Sequence, residues 1–283
     1  MLRAALALPL IGSAGNVVSC AAPVTPEEPT PVPVSPVVES EAAGVGVDKP
    51  MPAQIAARYE TAVPTAWGCD LPGIVKTVDP AAKTIALTFD ACGGPHGSLV
   101  DDPLLAFLEA QAVPATLFWN KRWIDANPQR AQQIAANPLF QIENHGTLHK
   151  PLSVNGRSAY GIAGTATVAE LVEEIEANRR FLREFLGVES NWFRPGTAFC
   201  DDVAVRIAGD LGVSLAGFAV NGDAGATAPG PVVASNLVHS APGSIVIMHM
   251  NQPGHGTAEG VRAAISQLRA AGFTFVKLGA APA

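Results

Sequence analysis

The stretch TIALTFDACGG at residues 84–94 decides the fold class that this sequence predicts. It begins with a largely apolar run of the length of one buried strand, followed by the carboxylate of Asp90 and then by a glycine pair. Strands that are apolar on both faces are typical of a parallel sheet covered by helices, and polar functional groups gather at the carboxyl ends of such strands. The stretch therefore predicts a β-strand that ends in a candidate functional residue.

Six further runs rich in β-branched and aromatic residues predict more strands, at 115–120, 140–145, 192–196, 215–220, 244–250 and 273–278. Stretches with the helical spacing of apolar residues lie between them, at 102–111, 168–186, 201–211 and 257–270. Residues typical of helix ends agree with these bounds: Asp102 as a cap before Pro103, then Gly187, Gly212 and Gly272. The alternation predicts an α/β protein, either a (β/α) barrel or a doubly wound sheet.

Length and charge limit the classes of function. The chain has 283 residues, of which 48% are hydrophobic and 15% are charged, which is enough to bury one large core. The formal net charge of -7 argues against non-specific binding to nucleic acid or to an anionic lipid surface through a basic face. We therefore expect no nucleic-acid partner, and a substrate that is neutral or cationic.

The first twenty residues predict an export signal. Arg3 provides a short basic region, residues 4–14 form an apolar run too short to span a bilayer, and VVSC at residues 17–20 offers a small-residue cleavage site. This tetrapeptide resembles a bacterial lipobox, which would make Cys20 the lipidated first residue of the mature protein. An ordinary signal peptide is the alternative. We expect an exported lipoprotein that faces the periplasm or the cell exterior and contacts the membrane only through an anchor at Cys20.

Residues 21–67 predict a Pro-rich tether between that anchor and a catalytic domain at 68–283. Residues 21–38 read AAPVTPEEPTPVPVSPVV, a composition that stays extended and cannot pack a core. A disordered N-terminus with no role beyond spacing is the alternative.

The segment ENHGTLH at residues 143–149 carries the clearest metal chemistry. Its two imidazoles, His145 and His149, follow a predicted strand and can converge on one cation. Two neutral imidazoles suit zinc or a similar borderline metal. We therefore expect a metal site at the end of this strand, and two unrelated surface or core histidines are the alternative.

A metal hydrolase needs two further groups, a carboxylate that takes a proton from the attacking water and an acid that donates one to the leaving nitrogen. Asp90 and His249 end predicted strands and suit these roles. Arg194 can hold the base carboxylate ionised, and Asp223 can do the same for an imidazolium. For either of these two taken alone, a structural salt bridge or a loop cap is the alternative.

The same segments, in this order, resemble the five motifs of the polysaccharide deacetylase family, which is carbohydrate esterase family 4 or the NodB homology domain. They are Thr88-Phe89-Asp90, His145-x-x-x-His149, Phe193-Arg194-Pro195, the Asp223 loop and Ile247-Met248-His249. The resemblance runs from about Lys83 to Leu278. It implies a distorted (β/α) barrel with about seven parallel strands, and a hydrolase that removes N- or O-acetyl groups from sugars with a divalent metal, usually zinc.

The resemblance also implies a role for each site residue. Asp90 would be the general base, tuned by Arg194, and His249 the general acid, oriented by Asp223. His145 and His149 would be metal ligands. The match at Asp223 is looser, because the usual Trp-containing neighbourhood is replaced by NGDAG at residues 221–225. Because we expect the protein to be exported, the expected substrate is a cell-envelope or extracellular polysaccharide, and peptidoglycan is one candidate.

One position departs from the family pattern. The first motif of the family usually ends in two aspartates, the second being the third metal ligand, whereas this chain has Ala91. Asp90 could coordinate directly, waters could complete the shell, or Cys92, Asn144 or another nearby side chain could substitute. Loss of a charged ligand should weaken metal binding. A catalytically impaired, glycan-binding lipoprotein of the same fold is therefore a rival reading, and an amidohydrolase of a small C–N substrate is another.

Three further expectations concern the surroundings of the site. If Cys20 is acylated, an odd number of cysteines remains, and a disulfide could join Cys92 to Cys200 or Cys69 to either of them. The loop at 150–167 could close over substrate with Tyr160 as a stacking ring, or be a plain surface loop. The rings of Trp119 and Trp123 could line a sugar cleft or be packed inside the domain.

Overall fold

The computed structural model describes residues 51–279. The predicted signal sequence, the lipid anchor at Cys20 and the tether up to residue 50 lie outside the described residues. Among the helices that are described, none combines the length and the apolar character needed to cross a membrane.

Short strands alternate with helices along this part of the chain. The helices are α1 (Pro52–Tyr59), α2 (Asp102–Ala110), α3 (Lys121–Ala126), α4 (Pro128–Ala135), α5 (Val168–Leu186), α6 (Asp202–Asp210), α7 (Gly230–Val238) and α8 (Gly256–Ala270). The strands are β1 (Trp67–Gly68), β2 (Ile74–Val75), β3 (Thr84–Ala91), β4 (Ala115–Trp119), β5 (Phe140–Asn144), β6 (Trp192–Phe193), β7 (Cys200–Asp201), β8 (Ser214–Ala216), β9 (Val220–Asn221), β10 (Ser244–His249) and β11 (Thr274–Val276).

One parallel sheet organises the domain. Its order is β2-β8-β6-β5-β4-β3-β10-β9, with β11 beside β3, and every pairing within it is parallel. The sheet curves into a half-barrel surrounded by helices, which confirms the predicted distorted (β/α) barrel. An isolated antiparallel bridge between Thr77 and Ser244 joins the chain after β2 to the start of β10. The carboxyl ends of the parallel strands thus face a common mouth.

The residues of β3 divide between two apolar layers. Leu87, Phe89 and Ala91 belong to the large cluster between the sheet and the helices, together with residues of α2 and α8. Ala86 belongs instead to a smaller cluster inside the curve of the sheet. Because successive side chains of a strand point to opposite faces, Asp90 shares the inner face with Ala86. The strand therefore packs on its outer face and delivers polar chemistry on its inner face.

The predicted strand at 215–220 is wrong as a single element, because the structure divides it into β8 and β9. The first of these pairs with β2 and β6, and the second pairs with β10. Between them, the carbonyl groups of Ala216 and Gly217 accept hydrogen bonds from the guanidinium of Arg194. A Cβ atom at Gly217 would lie 2.5 Å from Cγ2 of Ile74, so the break needs glycine. The interruption of the strand leaves two backbone carbonyls that bind the buried guanidinium of Arg194.

The four predicted helices are present as α2, α5, α6 and α8. The predicted cap of α2 is wrong by one position: Asp101 is the N-cap, and its side chain accepts from the backbone N–H of Leu104 at 3.0 Å. Asp102 is the first residue of the helix instead. Gly187 ends α5 with a φ of 69°, in the left-handed region that glycine favours.

Helix α1 lies inside the range 21–67 that the composition predicts as an extended tether. It contacts α5 and α6, and its Ile55 is fully buried in the cluster that those helices form. Burial of one such side chain contributes about 1.5–3 kcal/mol to folding. The chain from residue 51 onward is therefore part of the domain, and the predicted start at residue 68 is too late.

Candidate active site

Asp90 and Arg194 form a buried ion pair at the mouth of the barrel. Asp90 lies near the end of β3 and Arg194 directly after β6, and Nη1 of the arginine donates to Oδ1 of the aspartate at 2.7 Å. The residues are 2% and 0% exposed. Burial alone would raise the pKa of Asp90, but the charges of Arg194 and His145 outweigh it and hold the pKa below its usual range. Asp90 is therefore an anion in a nearly dry site.

All three nitrogen atoms of the Arg194 guanidinium make further hydrogen bonds. Nη1 also donates to the hydroxyl of Thr88 at 2.8 Å, and Nε and Nη2 donate to the carbonyls of Ala216 and Gly217. The guanidinium carbon lies 4.3 Å from the ring centre of Phe118. These contacts fix the guanidinium of Arg194 in one position, so the carboxylate of Asp90 that binds it is fixed as well.

His145 is oriented by the backbone of the same arginine. Its Nδ1 lies 2.7 Å from the carbonyl oxygen of Arg194, which can only accept, so Nδ1 donates. The other ring nitrogen, Nε2, lies 3.6 Å from Oδ2 of Asp90 and 3.8 Å from Sγ of Cys92. In the neutral ring this Nε2 carries a lone pair, which points into the site.

His149 is held in a backbone conformation that side chains rarely adopt, with a φ of 62°. The carboxylate of Glu174, buried on α5, accepts the backbone N–H groups on either side, those of Leu148 and Lys150. The rings of His145 and His149 meet edge to face with centroids 4.7 Å apart. The strained turn therefore brings the two predicted ligands together.

Two glycines make room for this turn. A Cβ atom at Gly146 would lie 2.3 Å from Oε1 of Glu174, and one at Gly196 would lie 2.1 Å from the carbonyl oxygen of His149. Neither separation is possible for real atoms, so a side chain at Gly146 would displace the Glu174 carboxylate and one at Gly196 would displace the backbone of the turn. Sequence reasoning missed Glu174, Gly146 and Gly196, because an acidic residue in an amphipathic helix and glycines in loops carry no signal that separates a support from a solvent-facing residue.

The buried carboxylate of Asp223 pairs with the part-buried ring of His249. Oδ1 of Asp223 lies 3.0 Å from Nδ1 of His249, while Oδ2 accepts the backbone N–H of His249 at 2.7 Å and the hydroxyl of Thr257 at 2.9 Å. Burial would lower the pKa of His249, but the hydrogen bond and the charge of Asp223 outweigh it and raise the pKa well above its usual range. The ring is an imidazolium whose Nε2 is turned away from its carboxylate.

Cys92 lies between the histidines. Burial would raise the pKa of its thiol, but the charge of His149 and hydrogen bonds with the imidazoles of His145, His149 and His249 hold the pKa well below its usual range. Sγ of Cys92 and one nitrogen from each of His145 and His149 lie within 4.8 Å of one another. Among the described residues this is the one group of three or more His, Cys, Asp or Glu side chains suited to a metal ion.

Asn144 does not substitute as a ligand. Its Nδ2 donates to the carbonyl of Ile175 at 2.8 Å, and its Oδ1 accepts from the backbone N–H of Gly146 and from Nδ2 of Asn178, both at 2.8 Å. Both polar atoms are thus bound within the domain. The side chain joins β5 to α5 and has no atom left for a cation.

The geometry also bears on three of the expectations about the surroundings. Cys92 and Cys200 are free thiols, and Cys200 is buried beside α6, so the disulfide between them is wrong. Trp119 and Trp123 are fully buried, with their indole N–H groups directed to Sδ of Met250 and to the carbonyl of Leu99, so neither lines a cleft. Tyr160 is exposed, and its ring meets that of Phe199 edge to face at 5.5 Å.

The family model for polysaccharide deacetylases matches residues 77–216. That segment contains Asp90, His145, His149 and Arg194, in the order in which the barrel brings them together. This part of the chain belongs to the polysaccharide deacetylase family. Asp223 and His249 follow the matched segment, and the deacetylase fold carries them to the same mouth. No curated protein matches the sequence.

Solved structures of similar fold include both deacetylases and an inactive relative. A carbohydrate esterase family 4 pseudoenzyme from Bacillus anthracis is 21% identical with a TM-score of 0.60, over 74% of this chain and 68% of that one. The peptidoglycan N-acetylglucosamine deacetylase Bc1960 is 21% identical with a TM-score of 0.61, over 73% and 91%. The chitin deacetylase from the fungus Colletotrichum lindemuthianum is 21% identical with a TM-score of 0.58, over 74% and 92%. At these identities the likeness establishes the deacetylase fold.

Proposed function

We propose that this protein is a metal-dependent hydrolase that removes acetyl groups from an N-acetylated polysaccharide of the cell envelope or the cell exterior, with peptidoglycan as one candidate. The observation that carries the proposal is that Asp90 and His249, each held by a buried partner of opposite charge, converge with the pair of imidazoles at one mouth of the barrel. An anionic base and a cationic acid are the two protonation states that amide hydrolysis needs at the start of the reaction.

The residues present fit a bound cation of the zinc type. His145 and His149 would hold it, because imidazole nitrogens are its preferred neutral ligands and the two rings already meet. When bound, such an ion would lower the pKa of water and polarise the acetyl carbonyl.

Asp90 would accept the proton from the attacking water. Oδ1 is bound to Arg194, so Oδ2, which faces Nε2 of His145, is the oxygen that receives it. Because the guanidinium lowers the pKa of Asp90, it keeps the carboxylate ionised and ready to act as base. The same contact limits its basicity, so the position of the carboxylate matters more than its proton affinity.

His249 would donate a proton to the leaving nitrogen of the sugar. Its Nδ1 is bound to Asp223, and the raised pKa keeps its Nε2 protonated at neutral pH. An amine cannot leave as an anion, so this donation completes cleavage of the C–N bond. The family match supports this substrate class, since proteins of similar fold include deacetylases of peptidoglycan and of chitin.

The rival is a catalytically impaired, glycan-binding protein of the same fold. Ala91 favours it, since the carboxylate usual at that position is absent. A pseudoenzyme of similar fold exists, and a mutant of it has restored activity, so residue changes in this fold can decide activity.

Acetate release distinguishes the two. The full chain is purified, its metal content is measured, and acetate release from acetylated chitooligosaccharides and peptidoglycan is followed with and without chelator. We expect bound metal and chelator-sensitive release, both lost in His145→Ala and kept in the control His96→Ala, whose side chain is exposed. A protein that binds glycan but releases no acetate at any metal load would establish the rival.

We also propose that the protein is exported and held to a membrane through lipidated Cys20. The VVSC tetrapeptide and the Pro-rich segment after it support this. Fractionation of cells that express the wild type or Cys20→Ser tests it: the wild type should enter the membrane fraction and incorporate labelled palmitate, and the variant should do neither. Equal fractionation of both would refute the anchor.

A further inference from the structure

We propose that the thiolate of Cys92 is the third protein ligand, which makes the centre a Cys-His-His site for zinc or a chemically similar cation. The inference rests on the proposed function only in taking His145 and His149 as the other two ligands. It replaces the carboxylate that the family pattern would supply from position 91 with a thiolate supplied from position 92.

The pleat of β3 explains why position 92 has this role. Asp90 points into the mouth of the barrel, and Ala91 belongs to the apolar layer outside it. Because side chains alternate along a strand, the next residue returns to the inner face. Cys92 follows the last residue of β3 and has its sulphur beside His145. At this strand end, position 92 faces the imidazoles and position 91 faces away from them.

The distances match a tetrahedral centre. With a Zn–S bond of about 2.3 Å and a Zn–N bond of about 2.0–2.1 Å, the sulphur and a ligating nitrogen of a tetrahedral site lie about 3.6 Å apart. Sγ of Cys92 lies 3.8 Å from Nε2 of His145. The ligand atoms of all three residues lie within 4.8 Å of one another, so small side-chain rotations complete the site.

The backbone at Cys92 is fixed by its neighbours. Its carbonyl accepts from Nη2 of Arg122 at 3.1 Å. Gly93 follows with a φ of 68°, and a Cβ atom there would lie 2.6 Å from the backbone nitrogen of Trp123. The chain can therefore turn against the start of α3 directly after Cys92, and the thiol has a fixed origin from which to reach the imidazoles.

Charge and chemistry favour the thiolate over the other candidates. Asp90 binds Arg194 through Oδ1 and would use Oδ2 as the base, and both polar atoms of Asn144 are bound elsewhere. A thiolate carries the same single negative charge as the missing carboxylate, so the charge of the ligand set is retained. Two imidazoles and one thiolate select zinc, cobalt or a similar metal over magnesium, calcium or manganese, which prefer oxygen.

Cobalt(II) titration tests the ligand directly, because thiolate-to-cobalt charge transfer gives a near-ultraviolet absorption band that nitrogen and oxygen ligands do not give. The full chain, stripped of metal, is titrated with cobalt(II) while stoichiometry is measured by elemental analysis. We expect one equivalent of cobalt with the charge-transfer band. Cys92→Ser should lose the band and bind cobalt more than about tenfold more weakly, since even changes outside the ligand set cost 10–100-fold.

Two further variants make the result specific. Cys92→Asp should restore tight cobalt binding without the band, because it returns a carboxylate to the inner face. Cys200→Ala removes a free thiol elsewhere in the chain and should keep both the band and the affinity. Folding of each variant is checked by circular dichroism before titration.

The outcomes separate this inference from the proposed function. One equivalent of cobalt that depends on His145 but gives no band would overturn the thiolate ligand and leave the metal hydrolase intact. A band with no acetate release from any glycan would support the ligand and defeat the proposed activity. No cobalt binding by the wild type would defeat both, and a Cys92 that reacts with acetate esters to give a stable acetyl thioester without metal would assign it a nucleophilic role instead.

Discussion

The backbone carbonyl of Arg194 accepts a hydrogen bond from Nδ1 of His145 at 2.7 Å, while the guanidinium of the same arginine binds Asp90. One residue thus fixes the tautomer of a candidate ligand through its backbone and the charge of the candidate base through its side chain. Because both contacts are made by Arg194, a shift of this residue would move the Asp90 carboxylate and the His145 ring together.

Replacement of Asp90 by Asn should abolish turnover while leaving the site assembled. Asn keeps an oxygen that can accept from Arg194 but has no basic oxygen to take a proton, so acetate release should fall by about 10²–10⁴-fold. Glycan binding by calorimetry should stay close to wild type. Asp125→Asn, at an exposed position in an ion pair with Lys121, is the control and should be silent. Wild-type turnover in Asp90→Asn would exclude this residue as base.

Loss of the Arg194 side chain should destabilise the domain strongly. Arg194→Met leaves the buried carboxylate of Asp90 without its counter-charge, and removal of one partner from a buried pair costs about 3–5 kcal/mol. Denaturant unfolding measures the loss. Arg180→Met, which breaks an exposed ion pair with Glu173, should change the free energy of unfolding by no more than about 0.5 kcal/mol. Equal effects of the two variants would contradict the burial argument.

The pH dependence of the reaction should report the Asp223–His249 pair. An acid must be protonated to act, so the rate should fall as pH rises through the pKa of His249, which Asp223 raises. Asp223→Asn removes that negative charge and should move the alkaline limb of kcat to lower pH. Thr257→Val removes a neutral hydrogen bond to the same carboxylate and should move the limb far less. A uniform loss of rate at every pH would mean that Asp223 only supports the fold.

Glu174 should act as a positioning residue for His149. Its carboxylate accepts from the backbone on both sides of the histidine, so Glu174→Ala should release the strained turn and lower zinc affinity by about 10–100-fold without touching the ion. Glu173→Ala, one residue earlier on the same helix and exposed, should leave zinc affinity unchanged. Competition with a chromogenic chelator measures both. Unaltered zinc affinity in Glu174→Ala would show that the turn keeps its conformation without the Glu174 carboxylate.

Gly196 should tolerate no side chain. A Cβ atom there would collide with the carbonyl oxygen of His149, a backbone atom that cannot rotate aside. Gly196→Ala should therefore weaken zinc binding and lower the melting temperature. Gly209→Ala is the matched control, since a Cβ atom in that helix meets nothing within 4 Å, and it should be neutral or stabilising by up to about 1 kcal/mol. Similar behaviour of both variants would show that the His149 turn does not depend on the absence of a side chain at residue 196.

The parts of the fold that sequence could predict are those in which local pattern and tertiary environment agree. Helix α5 has a threonine cap, an amphipathic repeat and a terminal glycine, and its bounds match the expectation residue for residue. Strand β3 is buried on both faces from Ile85 to Ala91, and its outer face is entirely apolar, which is why its sequence reads as a buried strand. The site residues that end strands could be found for the same reason, since parallel topology brings those ends together.

The parts that failed depend on partners distant in sequence. The break between β8 and β9 exists because Arg194 needs carbonyl groups, and nothing within 215–220 records that need. Helix α7 reads GPVVASNLV, whose β-branched residues weaken the helical signal, and it is stabilised by packing on α8. Glu174 reads as one acid among several on a helix surface. In each case a contact formed only in the fold decides the structure.

Engineering an aspartate back into position 91 would not rebuild the family's usual centre. Ala91 belongs to the layer that holds Trp119 and Trp123, so a carboxylate there would be desolvated among apolar groups on the far side of the sheet from the imidazoles. A ligand moved by one residue along a strand changes sides of the sheet, and a single substitution cannot compensate for that. A centre that takes its third ligand from position 92 and one that takes it from position 91 would therefore need different orientations of the backbone at this strand end.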